Sequence, residues 1–162
     1  MKIQYSSVEI YNTTFLDNIA LELNHGLTLI TSKAKIENVS VNYQNKDFLN
    51  STPSIVDTGF FSLILKSALT VSSSLLRNCR GSIGAIFTVT GGSSLTIDRN
   101  TTFTNCSSLN GNILYASSAK LIQVSNTVFQ DNSGSSDIYL EQSLSIIKDS
   151  KFINSHFNSI TV

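Results

Sequence analysis

Short runs in which apolar and polar residues alternate recur along the whole chain. In SVEIY the apolar positions are Val8 and Ile10, and in SLTID they are Leu95 and Ile97. A period of two residues is typical of a β-strand with one buried face, whereas a helix repeats every three or four residues. The pattern therefore predicts strands of about four or five residues and favours no helix in these runs.

The alternating runs belong to an internal repeat. The segment NTTFLDN at 12–18 has near-copies at 100–106 and 126–132. Anchoring each repeat on the Phe position of this heptad gives intervals of 23 to 27 residues and one longer interval of 35. The six anchors are Phe15, Val41, Leu76, Phe103, Phe129 and Phe152.

Two further kinds of apolar run recur with the anchors. The nearer is an alternating pair, namely Val8/Ile10, Ala34/Ile36, Leu69/Val71, Leu95/Ile97, Ile122/Val124 and Leu144/Ile146. A third run recurs as GLTLI, FFSLIL, GAIFTV, NILYA, DIYLE and SITV. Each repeat is therefore interpreted as three short strands separated by turns.

Strands this short bury a face only when each one stacks on the equivalent strand of the next repeat. The sequence thus predicts an all-β fold, a right-handed parallel β-helix of about six coils of three short strands. It is expected to form a single segment over 1–162 that is part of a longer chain or assembly, with a long inserted loop at 42–59. The rivals are a leucine-rich repeat, which needs a helical segment in each repeat, and a β-sandwich.

Short motifs carry a resemblance to known proteins. The coils resemble the right-handed β-helix (pectin-lyase-like) superfamily. FLDN, FQDN and the GAI of GSIGAIF resemble the FxxN and GGAI repeats of polymorphic outer-membrane autotransporters and related protist surface proteins. The resemblance covers nearly the whole chain, and it implies a β-helix of a cell surface or extracellular protein.

Composition narrows the classes of partner. The chain has 162 residues and a formal net charge of zero, and Ser, Thr and Asn fill roughly a third of it. A neutral chain lacks the basic surface of a nucleic-acid-binding protein. No apolar run approaches the roughly 18 residues of a membrane-spanning helix. The first residues lack a signal-peptide pattern, which leaves a removed signal, a segment of a longer protein or a cytosolic protein open.

A polar residue lies three positions before each anchor. These residues are Asn12, Asn38, Ser73, Asn100, Asn126 and Asp149. In a stacked solenoid we expect them to form an inward asparagine ladder, with amides bonded from coil to coil. The alternative is an exposed ligand array.

Five glycosylation sequons occur, at Asn12, Asn38, Asn50, Asn100 and Asn105. A sequon accepts a glycan only in a secreted chain and on an accessible surface. Those in the ladder are expected to be occupied by hydrogen bonds. Asn50, in the inserted loop, is the expected glycosylation site.

The two cysteines, Cys79 and Cys106, occupy the same position in consecutive repeats. Stacked neighbours lie within the Cα separation that a disulfide tolerates. In-register side chains point the same way, however, which favours buried free thiols slightly over a disulfide.

Candidate catalytic groups are scattered. The acids Asp17 and Asp131 align in the repeat but lie about four coils apart, too far to act as the paired carboxylates of a glycoside hydrolase. His25 and His156 lie on turns without an aligned nucleophile or a metal-ligand partner. Arg77, Arg80 and Arg99 cluster but face no carboxylates and are interpreted as turn charges. We therefore predict no catalytic, cofactor or metal site.

An outer face of the solenoid supplies the candidate binding site. If Ile86, Ile113 and Ile138 point inward, then Ile64, Phe87, Leu114 and Tyr139 form an apolar outer column. The opposite register would bury Glu141. This column contacts a partner, or else the inserted loop covers it.

The prediction is a non-enzymatic structural or binding module of an elongated surface or extracellular assembly, without a cofactor. Its partners would be other protein subunits or neighbouring coils of a longer solenoid, with glycans as a further class. The alternative is a polysaccharide lyase or glycoside hydrolase whose catalytic residues are not evident.

Overall fold

The structure is a computed structural model that describes residues 1–16, 27–42, 60–110, 113–155 and 158–162. In these ranges every pair of neighbouring strands is parallel and no helix occurs. The strands wind into a β-solenoid of about five turns with three main sheets, close to the six coils predicted. Nor do these ranges hold a helix long and apolar enough to cross a membrane.

Each main sheet collects one strand from every coil. The first contains β1 (Lys2–Gln4), β4 (Leu27–Ile30), β7 (Phe61–Ile64), β11 (Phe87–Thr90), β15 (Leu114–Ser117), β18 (Ser136–Glu141) and β21 (Asn158–Thr161). The second contains β2 (Ser7–Tyr11), β5 (Lys33–Glu37), β8 (Ala68–Ser72), β12 (Ser94–Asp98), β16 (Leu121–Ser125) and β19 (Ser145–Lys148). The third contains β3 (Thr14–Leu16), β6 (Ser40–Asn42), β9 (Leu75–Arg77), β13 (Thr101–Thr104), β17 (Thr127–Gln130) and β20 (Lys151–Ile153). A small sheet pairs β10 (Arg80–Ile83) with β14 (Ser107–Asn110).

The repeat anchors stack as the sequence predicted. Neighbouring strands of the third sheet pair Phe15 with Val41, Leu76 with Phe103, and Phe129 with Phe152, and the remaining pairings join these into one column. The anchors of the inner coils are at most 1% exposed. The column of anchors is therefore confirmed as part of the core.

The alternating pairs also face inward, except in the last coil. There Val124 pairs with Ile147 and not with Ile146. Leu144 is 64% exposed and Ile146 is 48% exposed, so the predicted inward pair of this coil is wrong. Two adjacent isoleucines leave one outside in either register, and the pairing with β16 selects Ile147.

Aromatic side chains form the centre of the core. The rings of Phe61 and Phe87 stack with centroids 5.3 Å apart, and Phe87 meets Phe103 edge to face at 5.8 Å. Phe103 in turn stacks on Phe129 at 5.1 Å. Each such aromatic pair stabilises the fold by about 0.5–1.5 kcal/mol more than the burial of its apolar area alone. The coils are thus joined by side-chain stacking as well as by their backbones.

The corner between the first and second sheets is built from a residue with positive φ followed by a small residue, which is serine in every coil except at Ala119. Thr31 has a φ of 49°, and Ser32 follows it. The backbone N–H of Ser32 donates to the Oγ of Ser67 in the next coil at 3.3 Å. The N–H of Ser67 donates to the Oγ of Ser93 at 3.1 Å. Each hydroxyl thereby satisfies a buried amide of the coil before it.

The other two corners use the same arrangement with different side chains. At the second corner, the N–H of Val39 donates to the Oγ of Ser74 at 3.1 Å. At the third, the N–H of Cys106 donates to the Oδ1 of Asn132 at 3.0 Å. This repeated bond explains why small polar residues are so frequent in the chain.

Candidate interaction site

The predicted apolar outer column is wrong at its centre. Phe87 and Leu114 are both fully buried, and Leu114 pairs with Ile138 in the inward column of the first sheet. Tyr139 faces outward, and Ile64 lies half-buried on the outward face of β7. The four residues therefore do not share a face and cannot form one contact surface.

The error is a slip of one residue. The prediction placed Ile113 level with Ile138, whereas the structure places Leu114 there. Because successive strand residues point to opposite faces, one step exchanges inside and outside. The polar positions carried the correct signal, since Thr88, Ser117 and Glu141 all lie on the outward side of the first sheet.

A different group of side chains occupies the outward face of β15 and β18. We call Tyr115, Ser117, Tyr139 and Glu141 the tyrosine patch. The two tyrosine rings are half-buried and lie nearly parallel, with an interplanar angle of 10° and centroids 5.4 Å apart. Their stacking follows from register, because Tyr115 pairs with Tyr139 and Ser117 pairs with Glu141.

Hydrogen bonds fix the carboxylate of the tyrosine patch. Glu141 Oε2 accepts from the Oγ of Ser117 at 2.9 Å and from the OH of Tyr115 at 3.3 Å. Partial burial raises the pKa of Tyr115, and the nearby charge of Glu141 raises it further. Tyr115 therefore remains a hydrogen-bond donor at neutral pH. The patch presents a positioned carboxylate beside two aromatic rings.

The same outward column is covered in the two coils directly before the tyrosine patch. Ser62 is 3% exposed and Thr88 is 8% exposed, although both face the same way as Tyr115. A Cβ added to Gly84 would lie 3.2 Å from the Oγ1 of Thr88, so the chain before β11 passes over this position. The inserted loop at 42–59, the predicted cover, lies outside the described residues apart from Asn42. After these two covered positions the column is accessible again at Tyr115.

The predicted asparagine ladder lies at the second corner, but its side chains are exposed. All six residues have a positive φ: Asn12, Asn38, Ser73, Asn100, Asn126 and Asp149. The inward direction was therefore wrong. Asparagine and aspartate tolerate the left-handed region better than most residues, which explains their recurrence here. One side-chain bond joins the column, from Asn38 Nδ2 to Asn12 Oδ1 at 2.6 Å.

A second asparagine column, which the sequence analysis missed, lies at the third corner. The Nδ2 of Asn105 donates to the Oδ1 of Asn78 at 2.6 Å, and the Nδ2 of Asn78 donates to the Oδ1 of Asn42 at 2.8 Å. Asn154 donates to Asp131 at 2.8 Å. All of these residues except Asn42 lie two positions after an anchor, and this alignment was the available signal.

Cys79 and Cys106 are free, fully buried and adjacent at the third corner. The N–H of Cys79 donates to the Sγ of Cys106 at 3.4 Å. Burial raises the pKa of the Cys79 thiol well above its usual range, and the hydrogen bond with Cys106 adds to this. A neutral buried thiol is a poor nucleophile, so the arrangement serves packing and amide capping.

Charged groups elsewhere form surface pairs. Lys35 Nζ lies 2.9 Å from Glu37 Oε2, and Arg99 lies 3.6 Å from the other oxygen of Glu37. Arg77 is exposed on β9, and the side chain of Arg80 is not among those described. The described ranges contain no group of three or more His, Cys, Asp or Glu residues able to hold a metal ion.

Several predicted residues lie outside the described ranges. These are Asp17, His25, Asn50 and His156. Within the described part, one carboxyl that the sequence did not single out is buried. Asp137 is 1% exposed and accepts a hydrogen bond from Ser155, and its burial raises its pKa.

Comparison of the chain with protein-family profiles, curated proteins and solved structures finds no match.

Proposed function

We propose that this chain is a non-enzymatic structural and binding module of an extracellular or cell-surface assembly, and that the tyrosine patch contacts a protein partner. One observation carries the proposal: two stacked, half-buried tyrosines lie beside a carboxylate that accepts two hydrogen bonds on the same sheet face. The resemblance of the repeats to those of surface proteins supports the extracellular location.

Tyrosine side chains are enriched at protein interfaces because they bring a large contact area with little conformational entropy to lose. The carboxylate of Glu141 adds an acceptor that suits a guanidinium or ammonium group. We therefore infer that the partner is a protein whose surface presents an arginine or a lysine. The hydrogen bonds that Glu141 accepts from Ser117 and Tyr115 keep the carboxylate in place before binding, which lowers the entropic cost of association.

The chain offers a matched control on its second sheet. There the OH of Tyr11 donates to Glu9 Oε2 at 3.0 Å, so a tyrosine and a carboxylate also meet on an exposed strand. Among the described residues, this pair has no second stacked tyrosine. Instead, the Nζ of Lys35 lies 5.1 Å from the centroid of the Tyr11 ring. A photo-reactive cross-linking residue is placed at position 139 in one version of the full chain and at position 11 in another. The protein adducts that each version forms in the cells of origin are then compared.

We expect the cross-linker at Tyr139 to yield a protein adduct that disappears with Glu141→Gln, and the one at Tyr11 to yield none. Equal yields of adduct at positions 139 and 11 would show that the tyrosine patch is not the specific partner contact. Assays on pectin, alginate and chitin, with and without calcium, test the non-enzymatic part. Turnover of any of these polysaccharides would overturn it.

A further inference from the structure

Asn100 is an exposed asparagine that begins the sequon Asn-Thr-Thr. It lies at the second corner with a φ of 60°, so its side chain leaves the coil and the chain turns behind it. Its backbone N–H donates to the carbonyl oxygen of Asn126 at 2.9 Å, which keeps the corner in place without the side chain. The residue is therefore held by its backbone while its amide faces solvent.

Of the other three described sequons, Asn38 and Asn105 use the amide nitrogen as a donor between coils, and Asn12 accepts with its amide oxygen. The Nδ2 of Asn38 donates to Asn12, and the Nδ2 of Asn105 donates to Asn78, both at 2.6 Å. Within the described ranges the side chain of Asn100 has no hydrogen-bond partner. A substituent on its Nδ2 therefore breaks no bond between coils.

The sequon threonine is also on the outward side. Thr102 is half-buried on β13 and pairs with Val128 in the next coil, where valine occupies the same outward position. Asn126 repeats the exposure and positive φ of Asn100, but it is followed by Thr-Val and forms no sequon. The fold thus places an acceptor and a non-acceptor asparagine side by side in the same geometry.

We propose that Asn100 carries an N-linked glycan, an inference that rests on the extracellular location proposed above. The Nδ2 of Asn100 forms a bond to C1 of the first sugar of a lipid-diphosphate-linked oligosaccharide. The bond from C1 to the diphosphate oxygen breaks, and the lipid diphosphate leaves with the electron pair. The proton lost from Nδ2 passes to a base of the transferase. The glycan then projects from the second corner, away from the core.

The test directs the full chain through the secretory pathway of cultured eukaryotic cells and locates glycans by peptide mass before and after amidase treatment. Wild type is expected to carry a glycan on Asn100. Thr102→Val removes the sequon without touching the asparagine, and we expect it to lose this glycan. Val128→Thr creates a sequon at Asn126, and we expect it to gain one. Circular dichroism and a melting curve confirm that both variants fold.

The outcomes separate this inference from the proposed function. An unmodified Asn100 in secreted, folded protein overturns the glycan and leaves the partner contact of the tyrosine patch untouched. A glycan in the secreted protein but not in protein from its natural source overturns the extracellular location as well as the native modification. A glycan on Asn100 in the secreted protein and in the protein from its natural source supports both the modification and the extracellular location.

Discussion

Phe103 gives the sharpest test of the packed interior. Its side chain is fully buried, and its ring stacks on Phe129 and meets Phe87 edge to face. Replacement of a buried phenylalanine by alanine costs about 3–5 kcal/mol. Because Phe103 has an aromatic neighbour on either side, we expect Phe103→Ala to lie in the upper half of this range, at about 4–5 kcal/mol.

Phe152 is the matched comparison in the same column. Its ring stacks on Phe129 with centroids 4.8 Å apart, but the residue is only half-buried. We expect Phe152→Ala to cost about 2 kcal/mol, since the loss scales with the apolar area removed from water. Thr104→Ala, on the outward side of β13, is a surface control expected to change the free energy of unfolding by less than about 0.5 kcal/mol.

Urea denaturation followed by far-ultraviolet circular dichroism measures all three variants. Solenoids need not unfold in one step, so amide hydrogen exchange should accompany the denaturation curve and locate the loss of protection. We expect protection to fall in the coils around Phe103. A cost for Phe103→Ala no larger than that for Phe152→Ala would refute the stacked core.

Four further variants test the corners and the buried carboxyl by melting and denaturation curves. A Cβ at Gly84, whose φ is +66°, would lie 2.3 Å from a backbone oxygen, so Gly84→Ala should cost about 2–5 kcal/mol. Gly92→Ala shares the positive φ but meets only a side-chain carbon at 3.8 Å, and it should cost about 1–2 kcal/mol. Ser93→Ala leaves a buried amide of the preceding coil without its acceptor and should cost about 1–3 kcal/mol; no loss would contradict the corner bond. Burial raises the pKa of Asp137 in the folded chain above its value of about 3.9 in the unfolded chain. The protonated carboxyl therefore contributes fully to folding stability below the unfolded-state pKa, and this contribution is lost as the pH rises through the folded-state pKa. Asp137→Asn should remove this decline in stability, and an unchanged pH profile would contradict the assignment.

The fold was predictable because the repeat appears in three independent features. Anchors, alternating pairs and third runs recur at similar intervals. The anchors pair as aligned, and the alternating pairs do so in all but the last coil. The third runs are shifted by one residue between β15 and β18. Where polar residues alternate with apolar ones, as in SLTID, the pattern fixes which face is buried.

Where a run is apolar at every position, the sequence does not show which side chains point into the core and which point outward. In the run from Ala85 to Phe87 every position is apolar and buried, so periodicity cannot distinguish the strand from the corner before it. This ambiguity produced the mistaken outer column and hid the tyrosine patch. A comparison with Thr88 and Thr90, which are polar and outward, resolves it.

The corners could not be derived from composition alone. The recurrence of asparagine indicated a turn at each corner but was read as an inward ladder. A positive φ explains the same residues with their side chains outside. The capping hydroxyls follow these residues by one position, and their role depends on hydrogen bonds between coils that sequence spacing does not display.

Two adjacent residues test the register most directly. Leu114 is fully buried, whereas its neighbour Tyr115 faces outward in the tyrosine patch. The measurement compares the melting of Leu114→Lys with that of Tyr115→Lys. We expect Leu114→Lys to unfold the chain or lower its melting temperature strongly, because an unpaired charge enters the core. We expect Tyr115→Lys to stay folded and to melt within a few degrees of wild type. A stable Leu114→Lys and an unfolded Tyr115→Lys would contradict the register and, with it, the position of the tyrosine patch.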